Sequence, residues 1–149
     1  MTRRGRKILW LATAVYTAGL LAGSLLPSGE GPLGGWDAAL TPDVQDALHL
    51  PVYAGLVILL SAALAMHIRL TAARTAWIAL ACVGLGVLME LSQAFIPGRT
   101  CSLKDGLVNA AGVVLGVLAL LIWRRCCPGR SGVVCAGAAV GKATGLADR

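Results

Sequence analysis

Seven polar side chains stand out in an otherwise apolar sequence. His49 and Tyr53 are four residues apart, Glu90 and Gln93 are three apart, and Asp105 and Asn109 are four apart. Arg99 closes a Pro97-Gly98-Arg99 turn between the last two pairs. Steps of three and four put side chains on one face of a helix. His49 and Glu90 are the types needed for acid–base work, and Asp105 could orient the histidine or help hold a metal. Arg99 is a bidentate donor suited to a phosphate. Tyr53, Gln93 and Asn109 supply neutral hydrogen bonds. The chain carries no HExxH, no GxSxG and no cysteine placed as a nucleophile, so no catalytic role is assigned and His49, Glu90 and Asp105 stand as candidates. A lone histidine with two acids is weak evidence for a metal, and none is expected, nor any other cofactor.

The elements that must position these residues are apolar blocks. Of 149 residues, 57% are hydrophobic and 13% charged, about half the charge of a usual soluble domain. The blocks are Ile8–Leu26, Leu48–Met66, Ala76–Ile96 and Leu107–Trp123. Each falls within the roughly 17–25 residues that cross a bilayer as a helix. The expectation is an all-α integral membrane bundle of four transmembrane helices. A basic segment, residues 1–7, precedes a membrane domain over 8–127, and a Gly/Ala-rich tail, 128–149, follows it with no span of its own. The loop Ser28–Asp46 carries Pro32, Trp36 and Pro42, with Asp43 placed to begin a helical lead into the second span.

The net charge of +6 is read through its placement. Eleven of the 13 basic residues lie before span one, between spans two and three, or after span four; only Arg99 and Lys104 fall on the other side. The positive-inside rule then puts both termini in the cytoplasm, and it turns the basic balance away from nucleic acid. The 19-residue first block exceeds the core of a signal peptide, roughly 7–15 residues, so an uncleaved helix is expected. The five cysteines, Cys82, Cys101, Cys126, Cys127 and Cys135, form no disulfide framework.

Each span carries a stripe. Ala12, Tyr16, Gly19 and Gly23 step by 4, 3, 4; so do Gly86, Glu90, Gln93 and Pro97, and Asp105, Asn109, Gly112 and Gly116. Small residues let membrane helices approach, so the glycines are read as packing faces, within the bundle or between copies. All seven polar residues fall in the outer half or the outer turn under this topology, and the inner halves read as apolar. Glu90 lies six residues before Ile96, roughly 9 Å below the helix end at 1.5 Å per residue. An ionisable group at such depth costs about 2.5–3.5 kcal/mol on insertion scales. Arg99, His49 or Asn109 must satisfy it, or it carries a proton.

The combined pattern resembles the VanZ-like family. "HLPVYAGL" at His49–Leu56 and "GVLMELSQAFIPGRTCSLKDGLVNAAGVVLG" at Gly86–Gly116 carry the resemblance, with "SLLP" at Ser24–Pro27. His49, Tyr53, Glu90, Gln93, Arg99, Asp105 and Asn109 match the family pattern position by position, over roughly residues 4–123. Gln45 and Asp46 stand where family members often have Asp-Lys. The resemblance implies a small bacterial membrane protein of the cell envelope, in the cytoplasmic membrane. It also implies a link to glycopeptide (teicoplanin) susceptibility in at least one relative, and no settled reaction.

Three functions fit these residues. In the first, the seven side chains bind a polar headgroup at the outer leaflet, of a membrane lipid, a lipid-linked envelope precursor or a glycopeptide. In the second, an intramembrane acid/base enzyme works through His49, Glu90 and Asp105. In the third, the cluster only fixes helix register, pairing Glu90 with Arg99, His49 with Asp105 and Asn109 with Gln93.

Overall fold

The computed structural model describes residues 3–25, 42–96 and 101–126, and only the backbone of 42, 43, 45 and 46. Arg99 and its Pro-Gly-Arg turn, Trp36 in the first loop, Cys127, Cys135 and the tail 128–149 lie outside the described residues. Among those described, the secondary structure is four helices: α1 (Arg3–Leu25), α2 (Pro42–Ala65), α3 (Ala72–Gln93) and α4 (Leu103–Cys126). All four are long and apolar enough to cross a membrane. The chain divides after Leu118 into two units. The first holds the helix contacts and the site described below; the second begins with the end of α4.

The helices run past the apolar blocks. In α1 the basic residues Arg3–Lys7 are helical. The lead expected at Asp43 is continuous with the second span, because Pro42 occupies a helix start, where a missing N–H costs nothing. Thr71 caps α3: its hydroxyl accepts from the Arg74 N–H at 3.3 Å. In α4, Asp105 sits in the first turn and Arg124 and Arg125 in the last, the arrangement that suits the helix dipole.

Large apolar side chains point outward. Trp77 is 70% exposed and Leu88 59%, whereas Glu90 and Asn109 are 5% and 2% exposed. That inversion fits a hydrocarbon surround, where polar groups turn to the bundle interior. The buried face of α3 comprises Thr75, Ile78, Cys82, Gly86, Met89, Glu90 and Gln93, one stripe at steps of three and four.

Helix α2 lies against the other three. Gly112 and Gly116 of α4 press on its backbone. A Cβ at Gly112 would come within 2.5 Å of the Leu50 carbonyl oxygen, and one at Gly116 within 2.7 Å of that of Ala54. The matching steps of four mean that α2 and α4 run parallel. Gly86 of α3 takes the Tyr53 ring, which an added Cβ would approach to 3.3 Å.

Helix α1 is held differently. Thr13 is its one buried residue, and Thr13 and Thr17 bond back to carbonyls of their own helix. Side-chain hydrogen bonds tie it to the rest of the bundle. The Tyr16 hydroxyl donates to the Val52 carbonyl at 2.8 Å, and Gln93 Nε2 donates to the Ser24 carbonyl at 3.2 Å. Trp10 Nε1 donates to His67 Nε2 at 3.1 Å. A Cβ at Gly19 or Gly23 would meet no described atom within 4 Å, so this stripe is not packed against another described helix of the same chain. These glycines line an open groove between α1 and α2. The half of the bundle away from Glu90 and His49 is also less uniformly apolar than the sequence reads: Thr13, Ser61 and Thr75 are buried there.

Candidate functional site

Glu90 is reached by two donors, both at 3.4 Å, toward the long end for hydrogen bonds. The backbone N–H of Ser102, just ahead of α4, donates to Oε2, and Asn109 Nδ2 donates to Oε1. Gly106 leaves room for this approach; a Cβ there would stand 4.0 Å from Glu90 Cγ. The acid therefore faces the start of α4, where backbone N–H groups and the helix dipole favour negative charge. The Asp105 carboxylate and the His49 ring are both within electrostatic reach of Glu90.

Asn109 then passes the interaction on. Its Oδ1 lies 3.0 Å from His49 Nδ1. Asn109 presents its NH2 to Glu90 and its oxygen to His49, and an amide oxygen only accepts. His49 must then carry its proton on Nδ1. In the neutral ring this leaves Nε2 with the lone pair. His49 is half-buried and also lines the groove.

The groove has a volume of about 420 Å³, within the roughly 300–1,000 Å³ usual for ligand sites. Val15, Leu20 and Val52 supply its apolar wall, Gly19 and Gly23 its open floor, and Ser24, His49 and Tyr53 its polar groups. Tyr53 is 2% exposed, and its hydroxyl has no partner among the described residues. Pro51, inside α2 beside His49, cannot donate to the carbonyl four residues earlier.

The structure thus joins His49, Asn109 and Glu90 in one hydrogen-bonded file, with Asp105 close by and Tyr53 on the groove wall. Gln93 is engaged elsewhere: it meets a carbonyl at the last turn of α1, one of the orphans of a helix end. Among the described residues, no three His, Cys, Asp or Glu side chains are gathered as a metal would need. Sequence reasoning missed the Ser102 amide, which has no side-chain signature, and the Trp10–His67 bond, whose ring centroids are 6.1 Å apart.

Four bilayer-length helices, apolar outside and polar at one internal level, define a multi-pass membrane protein with a buried histidine–amide–carboxylate file. The chain belongs to the VanZ/LLP1 family, whose model matches residues 15–124. No curated protein and no solved structure matches it.

Proposed function

We propose that this protein sits in the bacterial cytoplasmic membrane with both termini inside, and that it binds the polar headgroup of an envelope lipid or lipid-linked precursor at the outer leaflet. The observation that carries this reading is the file Glu90–Asn109–His49, which ends at the wall of a groove. His49 contacts the headgroup through Nε2. Asn109 and Glu90 stand behind it and hold the ring and its proton in place. Sequestering such a headgroup would alter glycopeptide susceptibility, as the family resemblance implies.

The test is teicoplanin susceptibility in a sensitive bacterium expressing wild type or Glu90→Gln, at equal membrane abundance and equal melting temperature in detergent. Protection by wild type and none by the folded variant supports the reading. Equal protection by both makes Glu90 a packing residue.

A second reading has its own support. A neutral His49 with a bare Nε2 is what a general base needs, and Glu90 behind Asn109 orients it. In this intramembrane enzyme His49 is the base, Glu90 the orienting group and Asp105 an electrostatic neighbour. Turnover of a lipid phosphate or ester that His49→Ala abolishes would favour it over simple binding.

A further inference from the structure

We infer that the end of the bundle away from Glu90, formed by the start of α1, the α2–α3 turn and the start of α3, binds the phosphate headgroup of an anionic phospholipid. This is a second site, independent of the headgroup reading above and of the side of the membrane that this end faces. The first observation is a juxtaposition. Trp10 Nε1 donates to His67 Nε2 at 3.1 Å, which brings the start of α1 to a turn 57 residues later in the chain. Arg6 and Lys7 stand four and three residues before Trp10, so they share its side of α1 one turn further out. Across the bond, Arg69 lies two residues after His67, and Arg74 Nη1 donates to the Arg69 carbonyl at 2.6 Å. That bond folds the Arg74 guanidinium back over the turn. Cations from two distant segments thus gather around one Trp–His contact. Lys7, Arg69 and Arg74 are exposed, and Arg6 is half-buried.

The second observation is charge. Among the described residues the acids are Asp43, Asp46, Glu90 and Asp105. They stand at the starts of α2 and α4 and near the close of α3, all at the other end. No described acid neutralises the cations around Trp10 and His67. Charge of one sign gathered in this way concentrates counter-ions, and an arginine fork matches the oxygens of a phosphate. The third observation is depth. Helices α1 and α3 run the same way, since Gln93 meets the Ser24 carbonyl at their far ends. In both, a tryptophan follows a cation by three residues: Lys7–Trp10 and Arg74–Trp77. Trp77 is 70% exposed and Trp10 38%. Indoles settle at the membrane–water boundary. At 1.5 Å per residue the cations then lie roughly 4.5 Å further out, at the level of lipid phosphates. The anion placed at that level around helices of bilayer length is a phospholipid.

The test uses the full chain with Trp10 as its one tryptophan (Trp36→Phe, Trp77→Phe and Trp123→Phe), in vesicles of phosphatidylcholine and phosphatidylglycerol. One lipid or the other carries bromine on its acyl chains, and quenching of Trp10 gives their relative binding beside it. A cation near an anionic surface is worth about fivefold in binding. The expected result is a severalfold preference for phosphatidylglycerol. It should fall toward one in about 1 M salt, where the Debye length is about 3 Å. Arg69→Gln/Arg74→Gln should also bring it close to one, although Trp10 belongs to a different segment.

Equal quenching by the two lipids at low salt would overturn the inference. So would a preference that Arg69→Gln/Arg74→Gln leaves unchanged, because α1 alone would then attract the lipid. If that variant folds poorly, the salt series on the unaltered cations decides, and a preference that survives it is not one of charge and contradicts the site. A chain whose one tryptophan is Phe95→Trp, at an 88% exposed position beyond the close of α3, reports on the other end. It should show no preference, and a preference equal to that at Trp10 would refute the assignment to this end. Glycerol phosphate is the same kind of headgroup without chains. At matched ionic strength it should leave the preference at Trp10 intact, and displacement by it would give the cations to a soluble phosphate instead of a lipid.

Discussion

His49 Nδ1 lies 3.0 Å from Asn109 Oδ1, and this bond connects the groove to the buried acid. Asn109 is 2% exposed and has neighbours on both sides, so its amide is a fixed spacer. Replacing it with Leu should leave both His49 and Glu90 short of a partner. Loss of a partner for a buried polar group costs about 1–3 kcal/mol. We expect Asn109→Leu to lower the melting temperature in detergent more than His49→Ala, since His49 is half-buried and ends the file. Equal effects would mean that the amide does not bridge.

The glycines give opposite expectations from one spacing. Gly112→Ala and Gly116→Ala drive a methyl group into the α2 backbone at Leu50 and Ala54. Overpacking of this kind costs about 1–3 kcal/mol. Gly19→Ala meets no described atom and replaces a poor helix former, a change worth roughly 0.5–1 kcal/mol in the other direction. Detergent melting curves of the three single variants should therefore move in opposite directions.

Helix α1 buries little, so its polar ties should govern its attachment. Tyr16→Phe, Gln93→Ala and His67→Ala each remove one. Interhelical hydrogen bonds in membranes average about 0.6 kcal/mol, with a maximum near 1.7. Single variants should shift the melting temperature slightly. The triple variant should speed hydrogen exchange across α1 while leaving α3 protected. In His67→Ala the emission of Trp10 should also change, because its indole N–H loses its acceptor.

Much of this architecture is legible in the sequence. The four spans follow from block length, and the Gly86–Glu90–Gln93 face follows from its steps. The gathering of His49, Glu90 and Asn109 at one level is legible from depth alone. Rotation of one helix against another is not, so the order His49–Asn109–Glu90 and the turning of Gln93 toward Ser24 emerge only in three dimensions. A GxxxG spacing states that a face is smooth and leaves open what lies against it. Gly112 and Gly116 meet a backbone, whereas Gly19 and Gly23 border a groove. The Ser102 donor belongs to the main chain, where residue type carries no signal.

The direction of the file yields a sharper expectation for Glu90→Gln. The Ser102 N–H can only donate, so the new side chain must turn its oxygen there and its NH2 toward Asn109. Asn109 must then reverse and offer its own NH2 to His49. The His49 proton moves from Nδ1 to Nε2, and the lone pair facing a ligand is lost. An isosteric change with little effect on packing would thus disable the site.

The most direct measurement is therefore the tautomer of His49. We would record 15N NMR spectra of histidine-labelled protein in a His67→Ala background, where His49 is the remaining histidine of the two. At a pH where the ring is neutral, the account predicts a protonated Nδ1 in the otherwise unaltered chain and a protonated Nε2 after Glu90→Gln. The same tautomer in both proteins would contradict it, because His49 would then not be set by Glu90 through Asn109.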